Sequence, residues 1–105
     1  MNLEQLRRIN RAENIVVTAH GRKRMSERGI LLREVMEAIS RGEIIEQYPE
    51  DYPFPSCLIL GFTINGRCIH VVISTDAGLI YLITAYEPSP EEWESDMKTR
   101  KGSKK

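Results

Sequence analysis

The pattern of hydrophobic and polar positions is most regular between residues 57 and 86. Three runs rich in β-branched and aromatic residues follow one another there, at 57–64, 67–74 and 79–86. Short polar segments that contain glycine separate them. Runs of this kind bounded by turn residues are typical of strands joined by tight hairpins. The pattern therefore predicts a three-stranded antiparallel meander at the centre of the fold.

The first turn signal in this meander is the pair Asn65-Gly66. Both residue types tolerate positive φ, as a two-residue type I′ loop requires, and the twist of that loop matches the flanking strands. A two-residue loop here places Gly61 opposite His70. We therefore expect open space above Gly61, beside the His70 imidazole.

The second turn signal is Gly78. If it takes the left-handed position of a three-residue loop, Thr84 lies opposite His70 and Tyr86 lies opposite Cys68. The predicted sheet then has one polar face, which displays His70, Thr84 and Tyr86. The other face is aliphatic and has to be covered; it consists of Leu58, Leu60, Phe62, Ile64, Ile69, Val71 and Ile73.

Two helices with clear start and stop signals precede the meander. Thr18 is a typical N-cap for a helix over residues 19–28, and Gly29 is a typical C-terminal glycine for it. Apolar residues at helical spacing predict a further helix over residues 31–41, ended by Gly42. We expect both helices to cover the aliphatic face.

Shorter elements complete the prediction. Residues 3–13 are typical of a short helix capped by Asn2. Residues 15–18 are typical of a strand or an extended segment, and residues 43–48 are typical of a strand. The sequence Ser-Pro-Glu-Glu at 89–92 combines an N-cap, a first-turn proline and a capping-box glutamate, which predicts a C-terminal helix.

Together these elements predict an α+β fold with N-terminal helices packed on a four-stranded, mainly antiparallel sheet and with a C-terminal helix. A chain of 105 residues is long enough for one domain with its own core. We expect this single domain to span residues 1–97 and the basic residues 98–105 to form a disordered tail.

Charge is distributed unevenly, although the formal net charge is zero. Residues 1–33 contain eight Lys and Arg against three acidic residues, and residues 34–97 contain two against twelve. Residues 98–105 contain five against none. Two basic ends around an acidic middle predict a local anionic partner, although a basic tail is also compatible with a solvated terminus.

The sequence also bears on location and cofactors. No apolar run approaches the roughly 18 residues that cross a membrane, and the N-terminal region lacks the apolar core of a signal peptide. We expect a cytoplasmic protein without a membrane partner. His20, His70, Cys57 and Cys68 show no close ligand spacing, so neither a metal nor another cofactor is expected.

One candidate functional feature is a row of basic residues. His20, Arg24 and Arg28 occupy positions i, i+4 and i+8 of the predicted helix and share one face. Arginine offers planar donors to phosphate oxygens, and histidine titrates near neutral pH, so this row suits a phosphodiester. The alternative is a solvated basic face.

The second candidate is the polar face of the meander. His70 interrupts a β-rich run at a position where Val or Thr would pack more easily, and Thr84 and Tyr86 are predicted beside it. These side chains are able to donate hydrogen bonds or assist proton transfer. The alternative is a core histidine hydrogen-bonded to a neighbour.

Five short motifs follow one another across residues 16–97. They are His20-x-x-x-Arg24-Met25-x-Glu27-Arg28-Gly29-Ile30, Gly42-Glu43-Ile44-Ile45-Glu46-x-Tyr48-Pro49, Pro55-Ser56-Cys57-Leu58, His70-Val71-Val72 and Thr84-x-Tyr86-x-Pro88. With these motifs the chain resembles the prokaryotic family described as domain of unknown function 4258.

That family in turn resembles, in size and in helix-then-sheet layout, the small ribonuclease toxins of toxin–antitoxin pairs, of the RelE and BrnT kinds. The resemblance implies an antiparallel sheet packed by N-terminal helices, metal-independent cleavage of RNA, and an antitoxin protein as partner. This chain departs from many such toxins because it lacks a strongly cationic sheet face.

The sequence-based hypothesis is therefore a toxin-like endoribonuclease in which the 2′-hydroxyl attacks the adjacent phosphate. His20 or His70 would act as base or acid, Arg24 and Arg28 would stabilise charge on the phosphate oxygens, and Tyr86 and Thr84 would assist. The competing hypothesis is a non-catalytic binding or regulatory module of the same fold, which the near-zero net charge favours.

Overall fold

The computed structural model describes residues 1–102, which form three α-helices and one five-stranded sheet. The helices are α1 (Leu3–Arg8), α2 (Ala19–Arg28) and α3 (Leu32–Arg41), and a 3₁₀ turn spans Ala12–Asn14. The strands are β1 (Ile15–Val17), β2 (Glu43–Tyr48), β3 (Ser56–Phe62), β4 (Cys68–Asp76) and β5 (Leu79–Tyr86). No helix in this part of the chain is long and apolar enough to cross a membrane.

The sheet corrects the predicted fold class. Its strand order is β1-β5-β4-β3-β2, with β1 parallel to β5 and every other pair antiparallel, so the sheet is five-stranded and mixed. The prediction of four mainly antiparallel strands was wrong because β1 has only three residues. β1 pairs with β5, with Val16 opposite Tyr81. Because these strands are far apart in the sequence, no turn motif between them indicates the pairing.

The predicted C-terminal helix is also wrong. Ser89 does begin one turn, since its carbonyl accepts hydrogen bonds from the backbone N–H groups of Glu92 and Trp93. The chain then reverses at Met97, which has a φ of 61°, and the Asp96 carboxylate accepts the backbone N–H groups of Lys98 and Thr99. Such a local side-chain turn competes with helix continuation.

Residues 89–101, which we name the C-terminal cap, instead fold back onto the sheet. Trp93 forms an isolated β-bridge with Arg100 and is 1% exposed. Lys98 and Arg100 form ion pairs with Glu43 and Glu46 of β2. Residues 103–105 of the predicted disordered tail lie outside the described residues.

The helix boundaries confirm the capping signals. The Thr18 hydroxyl accepts the backbone N–H of Gly21 at 2.9 Å, and Gly29 ends α2 with a φ of 64°. The Asn2 side chain caps α1 by accepting the backbone N–H of Glu4 at 2.8 Å. These local rules act within a few residues, which is why the sequence predicts them well.

The first hairpin loop differs from its prediction. Ile64, Asn65 and Gly66 form a three-residue loop, in which only Gly66 has positive φ (84°), and Thr63 pairs with Arg67. The Thr63 hydroxyl accepts the backbone N–H of Arg67 at 3.0 Å and stabilises this longer loop. This shifts β3 by one residue relative to β4.

The shift moves Gly61 to the other face of the sheet. Leu60, not Gly61, lies opposite His70. A Cβ added to Gly61 would lie 2.5 Å from the Cα of Ala38, so this glycine allows α3 to approach β3 and opens no space beside His70.

The second hairpin loop has two residues, Ala77 and Gly78, with φ values of 53° and 79° as in a type I′ turn. Ile83 is an extra residue in β5, because Thr84 pairs with Val72 whereas Leu82 pairs with Ile73. Further along, Tyr86 lies opposite His70, where the prediction had placed Thr84.

The two faces of the sheet are therefore composed differently from the prediction. The helix-bearing face packs on α2 and α3, as expected, and contributes Cys57, Ile59, Ile69, Val71, Ile73, Ile80, Leu82 and Ala85 to the core. We name the opposite face the cap face; it carries Leu58, Leu60, His70, Thr84 and Tyr86 together with Glu43, Glu46 and Tyr48.

Arg67, at the start of the β4 side of the first hairpin, joins three parts of the structure. Its guanidinium donates to the backbone carbonyls of Arg28 and Gly29 at 2.9 Å each, at the C-terminus of α2. It also donates to Glu34 at 3.0 Å and to Glu87 at 2.5 Å. A cation at a helix C-terminus and two carboxylate partners together fix the end of α2.

We predict that Arg67→Ala lowers the free energy of unfolding by about 2 kcal/mol or more, because the 8% exposed Glu34 side chain then loses its cation. Urea denaturation measures the loss. The matched control is Arg33→Ala: the Arg33 side chain is 61% exposed, and its long 3.8 Å pair with Glu37 contributes about 0.5 kcal/mol or less. Equal losses in the two variants would contradict the role of Arg67.

Candidate active site

His70 lies at the centre of the cap face and is 0% exposed. Its Nε2 lies 2.7 Å from the backbone carbonyl of Met97, which only accepts hydrogen bonds, so Nε2 carries the proton and donates. In the neutral ring Nδ1 is then the acceptor, and the Tyr86 hydroxyl donates to it across 3.3 Å. Both ring nitrogens are occupied.

The C-terminal cap buries His70. The Trp93 ring meets the His70 ring edge-on, with centroids 4.5 Å apart. Burial lowers the pKa of His70 below its usual value, although the hydrogen bond to Met97 partly opposes this shift. His70 is therefore a neutral histidine that holds the cap, in agreement with the core-histidine alternative.

A second set of contacts holds the cap to β2. Arg100 binds Glu46 with two hydrogen bonds of 2.9 and 3.1 Å, and its guanidinium lies 4.6 Å from the centroid of the Trp93 ring. Tyr48 donates its hydroxyl to Glu46. Burial and this bond raise the pKa of Tyr48 to about 12. Burial alone would raise the pKa of Glu46, but the hydrogen bonds from Arg100 and Tyr48 lower it overall.

Arg28 reaches the end of β5 because α2 runs alongside that strand. β1 pairs only with residues 80–82 of β5, and α2 covers the edge beyond them. Gly21 permits this approach, since an added Cβ would lie 2.7 Å from the Leu82 carbonyl oxygen. Arg28 then donates to the Ala85 carbonyl at 2.8 Å and to the Thr84 hydroxyl at 3.4 Å.

Arg28 and Tyr86 form one wall of an open pocket of about 520 Å³. The Arg28 guanidinium lies 5.9 Å from the centroid of the Tyr86 ring, and Glu87, Ser89 and Glu92 complete the lining. Burial raises the pKa of Tyr86, so its phenol stays protonated at neutral pH. The pocket thus combines a guanidinium, a phenolic donor and carboxylates.

The structure brings together four of the six predicted site residues. Arg28, Thr84, Tyr86 and His70 form a continuous set of contacts, as described above. His20 is exposed in the first turn of α2, and Arg24 pairs with Glu27 at 3.0 Å, so neither contacts this set. By helix rise the row from His20 to Arg28 spans roughly 12 Å.

Sequence reasoning missed the carboxylates of the pocket and the contacts of the cap. Glu87 was assigned no role, and Glu92 was interpreted as the capping-box glutamate of a helix that starts at Ser89. The uneven charge was the available clue, because Arg100 of the basic tail pairs with Glu46 of the acidic middle. Within residues 1–102, His, Cys, Asp and Glu side chains form no group of three or more that could hold a metal ion.

The fold and the site define a small α+β protein with three N-terminal helices on one face of a mixed sheet and a mixed-charge pocket at the end of its last strand. The family model described as Domain of unknown function (DUF4258) matches residues 17–87. The chain belongs to this family. Searches of curated proteins and of solved structures each found no match. The matched region includes Arg28, Thr84 and Tyr86 and ends before the C-terminal cap.

We predict that folding stability decreases as the pH falls from about 6.5, the pKa of His70 in the unfolded chain. The folded pKa is lower, so the unfolded chain binds more protons in this window, at a cost of up to about 1.4 kcal/mol per pH unit. Urea denaturation at pH 7.5, 6.5 and 5.5 measures the slope, and His70→Phe should reduce it.

An independent readout is the NMR titration of the single imidazole in His20→Ala. Its midpoint should lie below 6.5. A midpoint at or above 6.5 would contradict the buried neutral state of His70.

Proposed function

We propose that this protein is a metal-independent endoribonuclease of the toxin–antitoxin kind. The observation that carries the proposal is the convergence of Arg28, Tyr86 and Glu92 on one open pocket. Cleavage of RNA by its own 2′-hydroxyl needs a base, a donor for the leaving oxygen and positive charge beside the phosphate. Side chains of all three kinds line this pocket.

In the proposed reaction Glu92 accepts the proton of the 2′-hydroxyl, and the 2′-oxygen attacks the adjacent phosphorus. The bond from phosphorus to the 5′-oxygen breaks, and the Tyr86 hydroxyl turns from His70 Nδ1 to give its proton to the leaving oxygen. Arg28 stabilises the charge that develops on the non-bridging oxygens. The products are a 2′,3′-cyclic phosphate and a 5′-hydroxyl. Glu92 then releases its proton to solvent, and solvent restores the Tyr86 proton.

His70 takes a positioning role in this proposal. Because it is fully buried and both nitrogens are engaged, it orients the Tyr86 hydroxyl and does not contact RNA. Thr84 has a comparable role toward Arg28 through the 3.4 Å hydrogen bond.

The electrostatics of the pocket are compatible with an anionic substrate. Glu87 is paired with Arg67 at 2.5 Å, so its charge is offset locally. His20 and Arg24 extend the row along α2 from Arg28. In the proposal Arg24 exchanges its exposed pair with Glu27 for a phosphate of the RNA backbone. These residues contribute to binding in the proposal.

The biological assignment rests on the family. Its resemblance to small ribonuclease toxins in size and in helix-then-sheet layout supports a toxin that acts on cytoplasmic RNA and is restrained by an antitoxin protein.

The second candidate is a non-catalytic binding module. The observation that favours it is the burial of His70, since a histidine with 0% exposure and two hydrogen-bond partners has a sufficient structural role. In that case Arg28 serves only to cap the edge of β5 through the Ala85 carbonyl.

We predict that Arg28→Ala lowers the rate of RNA cleavage about 10²- to 10³-fold, through loss of charge stabilisation, and that Glu92→Gln lowers it about 10²- to 10⁴-fold, through loss of the base. The purified proteins are assayed on single-stranded RNA with EDTA present, and growth is followed after induced expression. Arg33→Ala, an exposed arginine on α3, is the control and should match the wild type.

Thermal melting of each variant separates lost chemistry from lost folding. If the folded Arg28→Ala and Glu92→Gln proteins cleave RNA as the wild type does, the assigned roles are wrong. If the wild type cleaves no RNA and does not arrest growth, the binding module becomes the better account.

A further inference from the structure

A second cavity, of about 380 Å³, lies at the opposite end of β5 from the pocket of Arg28 and Tyr86. Its lining includes three aromatic residues, Tyr52, Phe54 and Tyr81, together with the polar residues Thr18 and Ser74 and the carboxylate of Asp51. The function proposed above does not use it.

Two of the aromatic rings pack against each other and form one aromatic surface beside the cavity. The Phe54 and Tyr81 rings are nearly parallel, with an interplanar angle of 20° and centroids 6.4 Å apart. Tyr52 is 95% exposed, although it belongs to the same lining. The loop that carries it is anchored where the Ser56 hydroxyl donates to Asp51 at 2.5 Å. Exposed aromatic surface next to a cavity is typical of a binding site.

The cavity lies beside the row of basic residues. Thr18, in its lining, immediately precedes α2, and His20 lies in the first turn of that helix. The row then follows β5 toward Arg28 at the other pocket. Tyr81 and Tyr86 are five residues apart along β5, which corresponds to roughly 16 Å. At about 3.4 Å per stacked nucleotide this distance is covered by about five nucleotides, or by fewer in an extended strand.

We propose that this cavity binds an unpaired nucleobase of the substrate, a few nucleotides from the phosphate that is cleaved. The inference rests on the proposed function and deepens it, because it makes the substrate single-stranded RNA. The base stacks on the rings of Tyr81 and Phe54, and Tyr52 covers it from the solvent side. The phosphates between the two sites follow the row from His20 to Arg28, so charge and stacking act on the same strand.

Binding is tested with fluorescein-labelled octanucleotides of 2′-O-methyl adenosine and 2′-O-methyl uridine, which lack the attacking hydroxyl and stay intact. Fluorescence anisotropy gives the Kd. Tyr81→Ala should weaken binding of at least one octamer roughly 5- to 100-fold, as expected for one lost stacking contact, whereas Tyr81→Phe should retain it. Tyr52→Ala should also weaken binding. Because the Tyr52 side chain is 95% exposed, its removal should leave the fold intact, and weaker binding then reports the loss of a contact with the RNA.

Phe62→Ala is the matched control, since Phe62 is an exposed aromatic residue (46%) outside this cavity and should leave the Kd unchanged. The inference is overturned if the wild type binds neither octamer, or if Tyr81→Ala and Tyr52→Ala bind as the wild type does. It is also overturned if Phe62→Ala weakens binding as much as they do.

Cleavage of unmodified RNA by the same proteins separates this inference from the proposed function. If RNA cleavage requires Arg28 but the Kd of the octamers is unchanged in Tyr81→Ala and Tyr52→Ala, only the base site is overturned. If octamer binding requires both tyrosines but the wild type cleaves no RNA, the base site is upheld and the nuclease activity is overturned.

Discussion

The position of the candidate active site depends on Arg67. This residue follows the loop of the first hairpin, and its guanidinium binds the C-terminal carbonyls of α2, the buried Glu34 of α3 and Glu87 beyond β5. Without it the last carbonyls of α2 would lose these donors, and Arg28, the last residue of that helix, would keep only its own hydrogen bonds to Ala85 and Thr84 of β5. Arg7 acts similarly at the end of α3, where it donates to the Ile39 and Gly42 carbonyls. Arginines from distant segments thus fix both helix ends where backbone carbonyls need donors.

The C-terminal cap is the second determinant of the site. Trp93 and the Met97 carbonyl cover His70, and the Arg100–Glu46 ion pair attaches the segment after Met97 to β2. The neutral imidazole of His70 is held by the Met97 carbonyl and in turn fixes the position of the Tyr86 hydroxyl. The cap therefore influences the pocket through His70. The same segment contributes Ser89 and Glu92 to the pocket itself. The family match ends before the cap, and the site therefore combines the matched fold with a segment outside that match.

Predictions from the sequence succeeded where the determining contacts are local. Thr18, Gly29 and Asn2 set helix ends through neighbouring backbone groups, and these boundaries were confirmed. The register of the first hairpin was wrong because the Thr63 hydroxyl favours a loop one residue longer than Asn65-Gly66 indicates. The pairing of β1 with β5 and the fold of the cap were missed because partners far along the chain determine them. His70, Thr84 and Tyr86 do lie on one face, but for another reason than predicted: the two-residue loop shifts the register by one residue, and the extra residue Ile83 shifts it by one more. Glu92 was interpreted only as the capping-box glutamate of a helix, so its place in the pocket was missed.

The central claim is that the pocket of Arg28, Tyr86 and Glu92 cleaves RNA by attack of the 2′-hydroxyl. The most direct test is the chemistry of the new RNA ends. A 5′-labelled single-stranded RNA is incubated with the purified wild-type protein in EDTA, and the fragments are analysed by mass spectrometry. The account predicts 2′,3′-cyclic phosphate and 5′-hydroxyl ends. Fragments with 3′-hydroxyl and 5′-phosphate ends, or intact RNA, would contradict it.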